Sequence, residues 1–475
     1  MTTNQFIKSM LKFSVPTVIS ALIGILCLPI ISRVYPEEQY GYISQYRSVG
    51  TLIRGIVLLG LDQAYIRFFH EASENSDRNG MFQFCIKVGV TTFAVVFCAS
   101  SVFHKNITEY LFNEDNLISF IFLSVYILSM SFFRYQNINY RYLGKPKEYN
   151  IQQICYIIGD NLLFVVAAFY STNYIYSIGV IMIANIVVVG LSAINQKEFY
   201  KKGMISKTRK QEMIKYALPV MPVALIVLFN NSMAKLIMGG LGLRADVGVF
   251  AIATSAANIF SIIPNAFQVY WGTYIFEYYN KEPDRIKKVH DIVMALSALL
   301  VIAIFVFEDI LYLFLGVNYR SSEAYFMIIM LMPITNLMLE TTSYGINIAK
   351  RTSIALISSI VSCAVNVIIC WTLIPVIGPA GAAFGIGLSA TVGFLIRTIF
   401  GQYFYKSIYK IWKTVVTCIL IWGICISNLV LVDYLQFRIM IAIIVILIEL
   451  FIYRNYAREL LVLLNNLMTK RHKAL

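Results

Sequence analysis

The sequence predicts an all-α polytopic membrane protein of about fourteen transmembrane helices. Three observations predict it. Long apolar segments recur from 11–31, LKFSVPTVISALIGILCLPII, to 415–432 and 439–452, each long enough, or nearly so, to cross a hydrocarbon core. Mean hydropathy is +0.71, with 59% hydrophobic and only 13% charged residues. The basic residues cluster in alternate connections between the segments.

Taken in order, the spans are expected at 11–32, 43–62, 82–103, 117–138, 150–170, 175–194, 214–237, 247–272, 290–307, 323–345, 353–373, 381–399, 413–432 and 437–453. The first is not a typical signal peptide, because it is long, lacks a small-residue cleavage site and leads directly into further spans. The net charge of +14 reads as topology rather than nucleic-acid binding. With the N-terminus in the cytoplasm, most Lys and Arg fall in cytoplasmic connections: 140–149, the long loop 195–215, 279–290 and the tail KRHK at 470–473. Such loops also attract anionic lipid headgroups. An even span count returns the C-terminus to the cytoplasm. The outer loops, around 104–116 and 308–322, are too short for a catalytic domain.

The eight cysteines lie mostly inside apolar runs and read as small apolar residues rather than disulfides or metal ligands. The four histidines are scattered. No phosphate-binding P-loop, metal motif or nucleophile–base arrangement stands out, so no cofactor and no enzyme activity are expected.

An internal repeat organises the chain. KFSVP (12–16) matches KYALP (215–219), and EQYGYISQY (38–46) matches ADVGVFAIA (245–253). Six spans separate the two starts, so both halves enter the membrane with the same orientation, a parallel repeat about an axis normal to the bilayer. This divides the chain into an N-terminal six-helix lobe (1–200), a C-terminal six-helix lobe (201–405) and a further helix pair with a basic tail (406–475). Two lobes leave a cleft that rocking would open to each side in turn. Pro16, Pro29, Pro219, Pro222, Pro264 and Pro333 either permit kinks or set static helix shape.

Charges inside the spans mark the candidate site, since they are expected to face protein or water rather than lipid. Arg47 and Arg54 are seven apart and share a helix face, Asp62 is placed near that face, and Arg67 ends the segment. An Arg-lined cavity suits a diphosphate or an acidic sugar through forked, charge-assisted hydrogen bonds. Snorkelling or a structural Arg–Asp pair is the competing reading. Lys235, Asn230 and Asn231 on the seventh span are further cavity candidates, with snorkelling the alternative for Lys235. Glu340, Asp62 and Asp160 are candidates for coupling to H+ or Na+. Arg134 lies in the fourth span, and Arg397 is expected to anchor the twelfth.

The opening LKFSVPTVISALIGILCLPIISRVYPEEQYGYISQY, then GLDQAYIRFF (60–69), YALPVMPVAL (216–225) and LIPVIGPAGAAFGIGLSATVGFLIR (373–397), resemble in order and spacing the bacterial polysaccharide-exporter family. That family includes O-antigen and capsule repeat-unit flippases. The resemblance implies two six-helix bundles in a V shape plus two C-terminal helices, in a bacterial plasma membrane. It implies a cationic central cavity that moves undecaprenyl-diphosphate-linked oligosaccharides to the outer leaflet. Glycan polymerases and glycosyltransferases would be functional neighbours. Many relatives carry an acidic residue on the seventh span where this chain has Asn230, Asn231 and Ser232, so a coupling role is not carried over there. A lipid II flippase and a cation-coupled exporter of small molecules share the general architecture and stand as alternatives.

Overall fold

The computed structural model describes residues 3–72 and 75–454. The basic tail at 470–473 lies outside them. The described residues are helical throughout and contain no sheet. In order the helices are α1 (Thr3–Val34), α2 (Glu37–Leu58), α3 (Leu61–Phe68), α4 (Asn75–Val102), α5 (His104–Phe112), α6 (Leu117–Tyr142), α7 (Pro146–Ile157), α8 (Phe164–Ala167) and α9 (Tyr174–Asn195). Then follow α10 (Lys207–Gly240), α11 (Arg244–Ile259), α12 (Ile262–Tyr278), α13 (Pro283–Leu313), α14 (Glu323–Thr342), α15 (Tyr344–Ile348), α16 (Thr352–Ile377), α17 (Pro379–Phe404), α18 (Ile411–Leu431) and α19 (Leu435–Ile452). Thirteen helical segments are long and apolar enough to span a bilayer, or fourteen if the bent pair Glu37–Leu58 and Leu61–Glu71 counts as one span. The protein is therefore a multi-pass membrane protein, as its hydropathy predicts.

The chain divides into two compact units. Unit 1 holds the described residues up to Ile259 with Leu315–Tyr319 and Val367–Ala382; unit 2 holds Phe260–Phe314, Arg320–Asn366 and the described residues from Ala383 onward. In unit 1 a core of Leu58, Tyr65, Phe69, Phe82, Tyr135 and Met213 ties α3, α4, α6 and α10 together. In unit 2, Trp271, Ile275, Ile286 and Tyr344 form a smaller cluster joining α12, α13 and α15.

Small residues set the closest approach in unit 1. A Cβ built on Gly41 of α2 would collide with the carbonyl oxygen of Arg244 and lie 3.3 Å from the Gly248 nitrogen. A Cβ built on Gly248 of α11 would collide with the carbonyl oxygen of Glu37 and lie 3.1 Å from the Gly41 nitrogen. The contact is reciprocal, and both glycines occupy the fourth position of the two repeated segments, EQYG and ADVG. Backbone-to-backbone packing of this kind depends on small residues, because in lipid the association of helices rests on close van der Waals fit.

Two backbone breaks depart from uniform spans. The second span bends by 57° after Leu58. Leu59 and Gly60 both take positive φ, 49° and 71°, and a Cβ on Gly60 would stand 2.7 Å from the carbonyl oxygen of Ala217. Glycine is the residue that tolerates both demands. Asp62 therefore lies in the first turn of a new helix, α3, rather than on a straight continuation of α2. The fifth span is interrupted by a wide π turn at Ile158–Leu163, which includes Asp160. The loop expected at 308–322 is shorter than that, because α13 runs on to Leu313 and carries Glu308 and Asp309 inside the helix.

Candidate functional site

A cavity of about 590 Å³ with charged residues set in a largely apolar wall opens within unit 1. It is lined by Arg54, Gly55 and Leu58 of α2, Asp62 and Gln63 of α3, Phe133, Arg134 and Asn137 of α6, Gln153 of α7, and Val220 to Leu228 of α10. The bend after Leu58 brings Asp62 and Arg54 to the same cavity although they lie on different helices. Gly55 allows α10 close, since a Cβ there would meet Leu228 Cδ1 at 2.5 Å.

The charges in and beside this cavity are sorted by partner. Arg134 donates from Nε and Nη2 to Asp62 Oδ2 at 3.0 and 2.9 Å, and Gln63 Nε2 donates to the same oxygen at 2.8 Å. Asp62 is thus neutralised by Arg134. Arg47 does not line the cavity: it forms an ion pair with Asp160, Nε to Oδ2 at 3.6 Å, and donates from Nη2 to the Asp160 carbonyl oxygen. Its guanidinium also lies 4.6 Å from the Phe164 ring centroid. The π turn aims both the carboxylate and the freed carbonyl of Asp160 at Arg47. Arg54 differs from both. Among the described residues no carboxylate lies within ion-pair range of it, and its Nε is buried with no hydrogen-bond partner.

The remaining candidates are dispersed. Arg67 is 54% exposed and pairs with Glu71 at 2.5 Å, away from the cavity lining. Lys235 is partly buried, and its carbonyl oxygen accepts from Gln45 Nε2 at 3.4 Å. Among the described residues no carboxylate lies within ion-pair range of its ammonium. Asn231 is exposed and Asn230 partly buried. Glu340 lies in unit 2, where it accepts from Gln268 Nε2 at 2.7 Å and from the Tyr344 hydroxyl at 3.3 Å. Arg397 donates to Ser358 and Ser359 at 3.2 and 2.8 Å, tying α17 to α16 as an anchor should.

Sequence reasoning passed over a second charged centre. Arg438 of α19 is completely buried and donates to Glu308 Oε1 at 2.6 Å and to Asp309. Asn428 Nδ2 donates to the Glu323 carbonyl oxygen at 3.0 Å beside them. Glu308, Asp309 and Glu323 present carboxylate oxygens within 4.8 Å of one another. The Arg438 guanidinium already bridges two of the three, which makes the cluster a helix tie. Its members stand at span ends, an acidic pair closing α13 and an arginine opening α19, where charges ordinarily meet water.

The fold and these sites define a multi-pass helical membrane protein that keeps charged side chains within its spans. The sequence profile described as polysaccharide biosynthesis protein matches residues 6–276, and the chain belongs to that family. Among curated proteins no significant sequence match is found. Solved structures similar in fold include a flippase and a multidrug transporter. The lipid II flippase MurJ in an inward closed conformation aligns over 94% of this chain and 99% of its own, at 14% identity and a TM-score of 0.69. An inward-facing multidrug resistance MATE family transporter of the MOP superfamily aligns over 83% of this chain and 97% of its own, at 13% identity and a TM-score of 0.55.

Proposed function

We propose that this chain is a flippase for an undecaprenyl-diphosphate-linked saccharide in a bacterial plasma membrane. It works by alternating access between the lobes 1–200 and 201–405, to which the helix pair of 406–475 is an addition. Arg54 carries the reading. A charged arginine at the centre of a span costs about 2.5–3.5 kcal/mol on insertion scales, and the half-buried Arg54, with no carboxylate in ion-pair range among the described residues and its Nε unpartnered, has no protein charge to offset that cost. An anionic ligand entering the cavity supplies the missing partner, and a diphosphate matches the planar fork of arginine. The cavity replaces the water that a diphosphate and its sugars would otherwise lose in hydrocarbon. Lys235 and Asn231 are assigned to the sugar-bearing path. The reciprocal Gly41–Gly248 contact supports a parallel repeat, because corresponding residues meet about a pseudo-two-fold axis. The termini are assigned to the cytoplasm from the loop charges. Asp62 and Asp160 each face an arginine already, so of the coupling candidates Glu340 is the one with no basic group in ion-pair range among the described residues.

Between the headgroups, the fold likeness to a lipid II flippase along nearly the whole chain supports lipid II more than a repeat unit. The family's description favours a polysaccharide repeat unit, which is the second reading. Proteoliposomes loaded with lipid II or with a lipid-linked repeat unit separate them, by the rate at which a non-permeant reagent reaches the headgroup. Movement of lipid II alone supports the first reading, and movement of the repeat unit alone the second. If neither lipid moves, the flippase reading fails, and efflux of small molecules, which the MATE likeness brings forward, becomes the reading to pursue.

A further inference from the structure

A second recess, of about 420 Å³, lies in unit 1. Its wall is built from Ile53 of α2, Phe93 and Phe97 of α4, Ile107 of α5, and Leu123 and Ile127 of α6. It sits where α5 joins α4 to α6, at the outer end of these spans in the orientation assigned above. Polar side chains in the lining are few and turned away. The Ser100 hydroxyl donates to the Phe97 carbonyl oxygen at 3.1 Å, and the Ser124 hydroxyl to that of Phe120 at 2.9 Å. The Tyr110 hydroxyl donates to the carbonyl oxygen of Leu236 at 2.7 Å. Asn106 is exposed and brings its amide to the rim.

Two occupants fit this lining badly. Water is held in a cavity by several polar partners, and the hydroxyls here have spent their protons on the backbone; an apolar cavity of about 150 Å³ already stays dry and takes up benzene. Empty space would leave the aromatic and branched side chains with no atoms to touch on one side. Hydrocarbon fits, and it is at hand. Val95 and Val102 on α4 and Ile118 and Ile121 on α6 are exposed apolar side chains, so the helices that wall the recess stand in the layer that meets lipid.

We propose that this recess binds one acyl chain of an outer-leaflet bilayer lipid, a lipid other than the one transported. The chain is flexible and carries no polar group, and it enters from the surrounding hydrocarbon. The lipid's headgroup stays level with α5, where Lys105 and Asn106 are exposed. No residue lines both this recess and the charged cavity, so a substrate whose diphosphate rests on Arg54 does not continue into it. The α2 helix is the wall between them: Ile53 lines one and Arg54, the next residue, lines the other. A chain packed on Ile53 therefore supports the stretch of α2 that carries Arg54.

Photo-crosslinking tests this in nanodiscs of phosphatidylglycerol that carries a diazirine on one acyl chain, with adducts mapped by mass spectrometry. The expected result is adducts on Phe97, Ile107 and Ile127 as well as on the outward-facing Val95. Val49→Trp, which fills the recess from α2, is expected to remove the recess adducts and leave those on Val95. Unlabelled undecaprenyl diphosphate in excess is expected to leave both sets. Adducts confined to outward-facing residues overturn the proposal, since passing lipid marks those alone. Recess adducts that survive Val49→Trp overturn it as well. Displacement by undecaprenyl diphosphate also overturns it and gives the recess to the tail of the transported lipid. If Val49→Trp does not assemble, Val96→Phe fills the recess from α4 and is read in the same way. No arm of the experiment measures transport, so its failure leaves the flippase reading standing.

Discussion

An arginine in hydrocarbon must be matched, and the arginines of this chain show three ways of doing it. Arg134 takes the carboxylate of Asp62, Arg438 takes Glu308 and Asp309, and Arg54 keeps an unfilled demand at the cavity wall. Two predictions belong at this scale. Charge-assisted hydrogen bonds contribute about 1.5–3 kcal/mol each, so Arg54→Ala is expected to weaken binding of a diphosphate-bearing lipid roughly 10- to 100-fold. Arg54→Lys should recover part of that loss, since a lysine keeps the charge but not the fork. Binding titrations in nanodiscs with lipid II and with a neutral lipid of equal tail length check both. Arg438→Ala is expected to cost about 3–5 kcal/mol, because it strands a buried carboxylate. Replacing Arg438 and Glu308 together with apolar residues of similar volume should restore most of it. Thermal unfolding in detergent is the measurement. Arg54 was visible in the sequence because it stands in the middle of an apolar run. The Arg438 centre was not, because its members lie at span ends, where charges usually meet water, and only packing shows that these do not.

At the scale of elements, helices were legible and their breaks were not. Hydropathy found every span to within a few residues, since length and apolarity decide membrane crossing. It missed the bend after Leu58, which depends on Gly60 taking positive φ beneath the Ala217 carbonyl and which puts Asp62 on a second helical piece, α3. The π turn at Ile158–Leu163 has no hydropathy signature, and its effect is seen only with Arg47 in place opposite Asp160. The close contact of α2 and α11 yields a prediction. Gly41→Val and Gly248→Val should each force the two helices apart and destabilise the conformation described here. The double variant should cost less than the sum of the singles, because the first has already opened the contact. Spin labels placed on the two helices would read the separation directly, and an unchanged distance in either single variant would contradict the steric argument.

For the whole molecule, the proposed orientation makes the loops accessible from opposite sides. A cysteine introduced at Asn113 in a background lacking the native cysteines is expected to react with a non-permeant maleimide in intact cells. One at Lys202 should react only after permeabilisation. Labelling of Lys202 from outside would invert the topology and with it the direction of flipping. The alternation of basic and neutral loops made this orientation readable in advance. The way the chain gathers into two compact units was not readable, because contact between helices far apart in sequence is decided by packing surfaces that composition does not encode.

The meeting of Gly41 and Gly248 bears on timing as well as on packing. Contacts made by side chains loosen when a rotamer changes, which takes picoseconds to nanoseconds. Here the two main chains lie directly against each other, with nothing between them to rotate. Such a contact yields only when a whole helix moves, and helices move on the microsecond-to-millisecond scale. The seam between α2 and α11 is therefore either closed or crossed by a whole-helix displacement, with no fast intermediate opening.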